Sequence, residues 1–191
     1  TTGSCAAGAA KAAAIMLHTG EIPKHVDVDT PAGIRLHLKI EKPHVNSDSA
    51  SCCIVKDAGD DPDVTSGMEI FAEVKKRHDA QIVIDGGEGI GRITRKGFWG
   101  NVGEAAINPV PRKMICEELQ RVSGDGWDVL IYAPQGKEIA KKTFNANIGI
   151  KDGISVIGTT GIVEPMSDEA VKKTIYLAID KIYADGADEI L

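Results

Sequence analysis

Gln81-Ile82-Val83-Ile84 runs straight into Asp85-Gly86-Gly87-Glu88-Gly89-Ile90-Gly91-Arg92, a β-branched segment meeting a glycine cluster. The first four residues read as a buried strand. Beyond the cluster, Ile90 and Ile93 interleave with Gly91, Arg92, Thr94 and Arg95, so a second strand is expected to leave the turn. Four glycines in six residues open backbone conformations closed to other residues and leave peptide N–H groups able to face a ligand. The nucleotide-binding spacing G-x-G-x-x-G is not met, because its third glycine would have to stand at Arg92 or Thr94. No helical pattern follows either, which excludes a dinucleotide fingerprint on spacing and on context. A plain Gly-rich hairpin and a ligand loop fit these residues equally well.

Upstream, Met68, Ile70, Ala72 and Val74 alternate with Glu69, Phe71, Glu73 and Lys75, the period of a half-buried strand. With 81–84 and 90–94 it predicts an antiparallel meander whose glycine turn sits at one rim. Residues 49–55 read as a further strand, and Ile34, Leu36, Leu38 and Ile40 alternate with charged residues in another. Val26 and Val28 lead into the turn Thr30-Pro31-Ala32-Gly33. The first segment reads as a helix: Thr2 or Ser4 can cap it, alanines from Ala6 to Ala14 supply propensity, and Gly20 stops it.

Downstream, Asn108-Pro109 is a strong helix start, with Val110, Met114, Ile115 and Leu119 near one face. Residues 129–132 make a strand, and Gly136 opens a short helix. This order implies an α+β domain over residues 1–147, an antiparallel sheet with packing helices. From 148 the pattern changes. Residues 154–157 read as a buried strand, Gly158-Thr159-Thr160-Gly161 as a tight loop, and Ser167 as the cap of a long helix. Val171, Ile175, Ala178, Ile179 and Ile182 form the apolar face of that helix, and 187–191 start another strand. Together these make a Rossmann-like α/β unit, its loop placed where ligands bind in open parallel sheets. One βαβ unit cannot bury both faces of a parallel sheet, so the second domain, 148–191, is expected to be incomplete at Leu191.

Lys and Arg number 22 against 28 Asp and Glu, a net charge of −6, which argues against nucleic-acid and anionic-membrane partners. No stretch approaches the ~20 apolar residues that span a bilayer, and no secretory signal is visible, so a cytoplasmic location is expected. Cys5, Cys52, Cys53 and Cys116 show no C-x-x-C spacing and read as reduced thiols. The histidines stand apart from one another, and no protein-bound metal is expected. The aspartates of Lys56-Asp57-Ala58-Gly59-Asp60-Asp61-Pro62-Asp63 lack EF-hand spacing; they suit turns and caps as well as a functional loop.

The run from Gly86 to Gly97, followed by Gly103-Glu104-Ala105-Ala106-Ile107-Asn108-Pro109-Val110-Pro111-Arg112, resembles the CbiD family, the cobalt-precorrin-5B C(1)-methyltransferases of anaerobic cobalamin synthesis. Thr1-Thr2-Gly3-Ser4-Cys5-Ala6-Ala7, the stretch from Val55 to Thr65 and that from Ile154 to Ser167 agree with the same family and in its order. The resemblance implies methyl transfer from S-adenosylmethionine to C(1) of cobalt-precorrin-5B, giving cobalt-precorrin-6A. The partner would be a small-molecule corrinoid, with cobalt belonging to the substrate. Such chemistry needs alignment rather than a metal, triad or covalent nucleophile, and positioning can supply about 7–11 kcal/mol of the barrier.

In that setting the amides of Gly86, Gly87, Gly89 and Gly91, and those of Gly158, Thr159, Thr160 and Gly161, would approach donor or substrate. Asp85 and Glu88 are the catalytic candidates, holding a ribose diol or orienting the macrocycle. Arg92, Arg95 and Arg112 would pair with acidic groups of the substrate, because guanidinium matches carboxylate bidentately. Thr2, Ser4, Asp57, Asp60, Asp61 and Asn108 complete the expected substrate contacts. The residues leave two other classes open: a non-catalytic tetrapyrrole-binding module, and an enzyme that uses the glycine loops for a phosphorylated small molecule.

Overall fold

The alanine-rich segment becomes α1 (Thr2–Thr19), and the rest of the molecule packs around it. The computed structural model describes residues 1–96 and 99–163, with Lys172, Ile175, Tyr176, Ile179, Ile182 and Tyr183 beyond them. Ala6, Ala7, Ala9, Ala10, Ala12, Ala13 and Ala14 are all fully buried. Methyl side chains allow neighbouring layers to come close: a Cβ added at Gly8 would stand 2.6 Å from Ile54 Cδ1 and 2.8 Å from Leu38 Cδ1. Gly20 ends the helix at φ 77°, its N–H donating to the Met16 carbonyl.

β1 (His25–Asp29) and β2 (Arg35–Lys39) form an antiparallel hairpin against α1. They are followed by β3 (Glu41–Val45), β4 (Ser49–Val55), β5 (Glu69–Arg77), β6 (Ile82–Gly86) and β7 (Arg92–Ile93). Then come α2 (Pro109–Val122), β8 (Gly126–Tyr132), α3 (Gly136–Ala140) and β9 (Ile150–Lys151). The main sheet runs β3-β4-β5-β8-β6. Ala50, Cys52, Ile54, Ile70, Ala72, Val74, Trp127, Val129 and Ile131 are its buried residues in the core built around α1. The alternate positions Glu73, Lys75, Asp128 and Leu130 face outward, as one-sided antiparallel sheets allow. The α+β class read from the sequence holds.

The expected meander does not. β8 lies between β5 and β6, and β7 pairs with β9 in a separate two-stranded ladder. β6 and β8 run parallel, with Ile84 opposite Val129. The reason lies in the connection: a parallel neighbour needs a long crossover rather than a tight turn, and here α2 supplies it. The βαβ unit among the described residues is therefore β6–α2–β8. Its glycine stretch leaves the carboxyl end of the first strand, where open α/β sheets bind ligands.

Residues 154–157 form no strand of a second sheet. Ile154 and Val156 are buried but make only isolated parallel bridges, to Ile90 and to Ile107. The helix expected from Ser167 falls largely outside the described residues, although the six described positions between 172 and 183 are helical. The strand expected over 187–191 lies wholly outside them.

Candidate functional site

β6 is an edge strand, and what covers its outer side builds the site. Trp127 N–H bonds to the Gln81 carbonyl and Gly87 N–H to the Ile131 carbonyl, so the odd residues of β6 bond to β8. The carbonyls of Ile84 and Gly86 point the other way. Arg112 Nη1 donates to the first at 2.9 Å, and Arg92 donates to the second. Two cationic side chains thus seal an edge that would otherwise pair with another strand.

The glycine loop beyond β6 is packed rather than open. Gly86 N–H donates to Asp85 Oδ1 (2.8 Å), Gly87 N–H to the Ile131 carbonyl (2.7 Å) and Gly91 N–H to the Ile154 carbonyl (2.8 Å). Gly89 sits at φ 75°, and a Cβ there would overlap the Ala133 carbonyl oxygen. Its own carbonyl accepts from Ile154 N–H at 2.9 Å, while Ala133 N–H donates to the Glu88 carbonyl at 2.9 Å. The reading of these amides as free for a ligand is corrected for Gly86, Gly87 and Gly91. The glycines are there because three backbone segments meet at contact distance, and no side chain fits between them.

Side chains shape the opening beside the loop. A cleft of about 470 Å³ is lined by Ile84, Asp85, Trp99, Glu104, Ile107 and Arg112, among others. Arg112 reaches back from the first turn of α2. Besides Ile84 it donates from Nε to the Ile107 carbonyl (3.0 Å) and from Nη2 to the Ala105 carbonyl (3.5 Å). A guanidinium has five N–H groups, so two remain after these three neutral carbonyls. Among the described residues no carboxylate lies within ion-pair distance of it.

Asp85 faces the same cleft, with Arg92 Nη1 2.7 Å from its Oδ1. Burial opposes its ionisation, but Arg92 and the Gly86 N–H outweigh burial and hold the carboxyl below its usual range. Glu104 accepts from the side-chain amide of Asn101 (2.8 Å) and from its N–H (3.1 Å), and these bonds hold it low as well. Trp99, 37 % exposed, stands among the lining side chains.

A second group gathers where residues 154–161 cross the amino ends of both long helices. The Val156 carbonyl accepts from Asn108 N–H (2.9 Å), and the Ile157 carbonyl from Gly3 N–H (2.9 Å). Ile157 N–H donates to Thr2 Oγ1 (2.9 Å), and Ser4 Oγ donates to the Gly161 carbonyl (2.5 Å). Thr2 and Ser4 are buried, and with Thr1 capping Ser4 N–H they clamp this strap onto α1. Gly158 lies against the Thr1 side chain and Gly161 against Thr30, the Thr160 carbonyl accepts from Ala32 N–H (3.0 Å), and Thr159 is exposed.

The other expected site residues lie apart from the cleft lining. Asn108 caps α2 through Val110 N–H (3.3 Å) beside that lining. Glu88 is exposed and does not line the cleft, and Arg95 is exposed with its stem along Gly149. Asp57, Asp60 and Asp61 ride on a loop latched by Lys56, 2 % exposed, whose Nζ is 2.7 Å from Asp63 Oδ2. Sequence reasoning passed over Trp99, Glu104 and the Lys56–Asp63 latch. Glu104 lies inside one quoted motif and Trp99 between the two, but only the fold brings them to one cleft with Arg112. The thiols carry no chemistry here: burial pushes Cys52 up to about 12 and Cys53 to about 11.

The family model CbiD matches residues 1–165. A cobalt-precorrin-5B C(1)-methyltransferase of Alkaliphilus oremlandii is 64% identical over 182 residues, covering 95% of this chain and 51% of its own. That of Treponema denticola is 59% identical over 187 residues, again 95% of this chain and 51% of its own. The crystal structure of a cobalamin biosynthesis protein, cbiD, from Archaeoglobus fulgidus superposes with TM-score 0.67 at 32% identity, over 94% of this chain and 58% of that one. The chain spans about half the length of the curated relatives it matches. With a family model matched over most of its residues, and a fold shared with a solved member, the chain belongs to the CbiD family.

Proposed function

We propose that this chain contributes the site of an S-adenosylmethionine-dependent methyltransferase acting at C(1) of cobalt-precorrin-5B and yielding cobalt-precorrin-6A. The observation that carries this reading is the mixed-charge cleft at the carboxyl end of β6, in a chain so similar to proteins named for that reaction. When bound, S-adenosylmethionine supplies an electrophilic methyl on sulfur. The S–C bond breaks with its electron pair left as a thioether, and a ring-carbon pair forms the new C–C bond. The protein's share is alignment and exclusion of water.

Arg112 and Arg92 hold the β6 edge rigid, and Asp85 keeps its negative charge beside the cleft at neutral pH. Arg95, exposed beyond β7, and the strap residues Thr159 and Thr160 are the contacts we assign to the acidic macrocycle. Phosphate chemistry on the glycine loop beyond β6 fits poorly, because the amides of Gly86, Gly87 and Gly91 are already bonded. Four cysteines without a disulfide suit a reducing cytoplasm. No helix among the described residues is long and apolar enough to cross a membrane.

Incubating the protein with cobalt-precorrin-5B and methyl-labelled donor tests the reading. Label appearing at C(1) of the ring supports it. Corrinoid binding with no transfer would instead favour a non-catalytic binding module.

A further inference from the structure

We infer that the cleft between β6 and α2 takes the S-adenosyl donor rather than the corrin ring, and that Arg112, Glu104 and Trp99 read the donor's two ends. This rests on the methyltransferase reading and assigns to one ligand a site that the reading leaves unassigned.

Size comes first. About 470 Å³ falls within the roughly 300–1,000 Å³ typical of small-molecule pockets. That is room for a nucleoside with an amino-acid tail, and less than a cobalt macrocycle carrying a ring of acidic side chains would fill. Charge points the same way. The lining offers two carboxylates, Asp85 and Glu104, against one guanidinium, Arg112. Even with Arg92 paired to Asp85, this wall comes out near neutral. A polycarboxylate gains little net attraction there, whereas a sulfonium zwitterion, with two positive centres and one carboxylate, meets complementary groups.

Local chemistry assigns the ends. Arg112 is anchored by three main-chain carbonyls, with no carboxylate within ion-pair distance among the described residues. Its position is fixed and two of its N–H groups remain open, which suits a ligand carboxylate. Glu104 is held ionised by Asn101 and retains lone pairs for a ribose diol. Trp99, partly exposed, is an aromatic side chain of the kind on which purines stack. Asp85 remains as a negative charge for the sulfonium.

The chain has two tryptophans, and Trp127 is fully buried while Trp99 is 37 % exposed. Both emit, and the difference between wild type and Trp99→Phe reports this cleft. Titrating the protein with S-adenosylhomocysteine should quench the Trp99 emission, and Trp99→Phe should abolish the quench. By calorimetry, Arg112→Gln should weaken S-adenosylhomocysteine about 10- to 100-fold, the range for one charged hydrogen-bonded contact. The same variant should leave 5′-methylthioadenosine, which lacks the amino-acid end, within about threefold of wild type. That result also certifies that the variant is folded. A cobalt corrinoid polycarboxylate should bind without displacing the thioether.

No quench, equal weakening of both nucleosides by Arg112→Gln, or competition between corrinoid and thioether would each overturn the assignment. Absence of label transfer alongside intact thioether binding would instead sink the methyltransferase reading and spare the pocket.

Discussion

Replacing Gly89 by alanine probes whether the glycine loop is a packed joint. Gly89 has φ 75° and Gly20, at the end of α1, has φ 77°, so an alanine is nearly equally strained by backbone conformation at both. That strain costs about 1 kcal/mol, the lower end of the left-handed penalty. The surroundings differ. Nothing lies within 4 Å of a Cβ at Gly20, whereas one at Gly89 would overlap the Ala133 carbonyl. Backbone cannot rotate away as a side chain can, so the loop must lift. The bonds at risk are Ala133 N–H to the Glu88 carbonyl and Ile154 N–H to the Gly89 carbonyl, both 2.9 Å. At about 1 kcal/mol each, they bring Gly89→Ala to roughly 3 kcal/mol, against about 1 kcal/mol for Gly20→Ala. Urea unfolding of the two variants beside wild type, at unchanged denaturant slope, measures the difference. Equal losses would show that the loop yields freely and that close backbone packing is not what these glycines provide.

Glu118, 1 % exposed, bonds Arg121 and lies 2.7 Å from Lys11 Nζ. That Lys11-facing Oε2 has no hydrogen bond of good geometry, so we treat the contact as an ion pair without a directed bond. Glu118→Gln leaves the Lys11 ammonium with only the neutral Asp27 carbonyl (2.5 Å) and should cost about 3 kcal/mol in urea unfolding, whereas a loss under 1 kcal/mol would contradict the network. Asp63 is held below its usual range: burial opposes ionisation, but Lys56 and Thr65 outweigh it. Its contribution to stability is therefore present above the ordinary carboxyl range and lost as pH falls through the depressed value. The gap between wild type and Asp63→Asn should be full at pH 7 and narrow as pH falls below the ordinary carboxyl range; a gap that does not change with pH would refute the latch. With Cys5, Cys52 and Cys53 buried and their thiols raised, a thiol reagent at pH 8 should label only the half-buried Cys116 until the protein unfolds. Early labelling of Cys52 would place the α1–β4 contact in doubt.

Local order was legible wherever neighbours in sequence dictate it. Alternation at Ile70, Ala72 and Val74 marks β5 because side chains two apart share a sheet face, and Asn108-Pro109 starts α2 because cap and first turn need only adjacent residues. The alanine run made α1 a buried helix on propensity and bulk alone. Family motifs drew attention to Asp85, Arg92 and Arg112, which the fold gathers along the outer edge of β6. Partnership was not legible. That β6 lies beside β8 and parallel to it, that residues 154–161 brace both helix starts, and that the loop amides are already bonded depend on segments far apart in the chain. Arg112 meets Ile84 across 28 residues and Thr2 meets Ile157 across 155. Short-range periodicity carries no information at such separations. Only the packed chain decides which glycine faces a ligand and which faces another backbone.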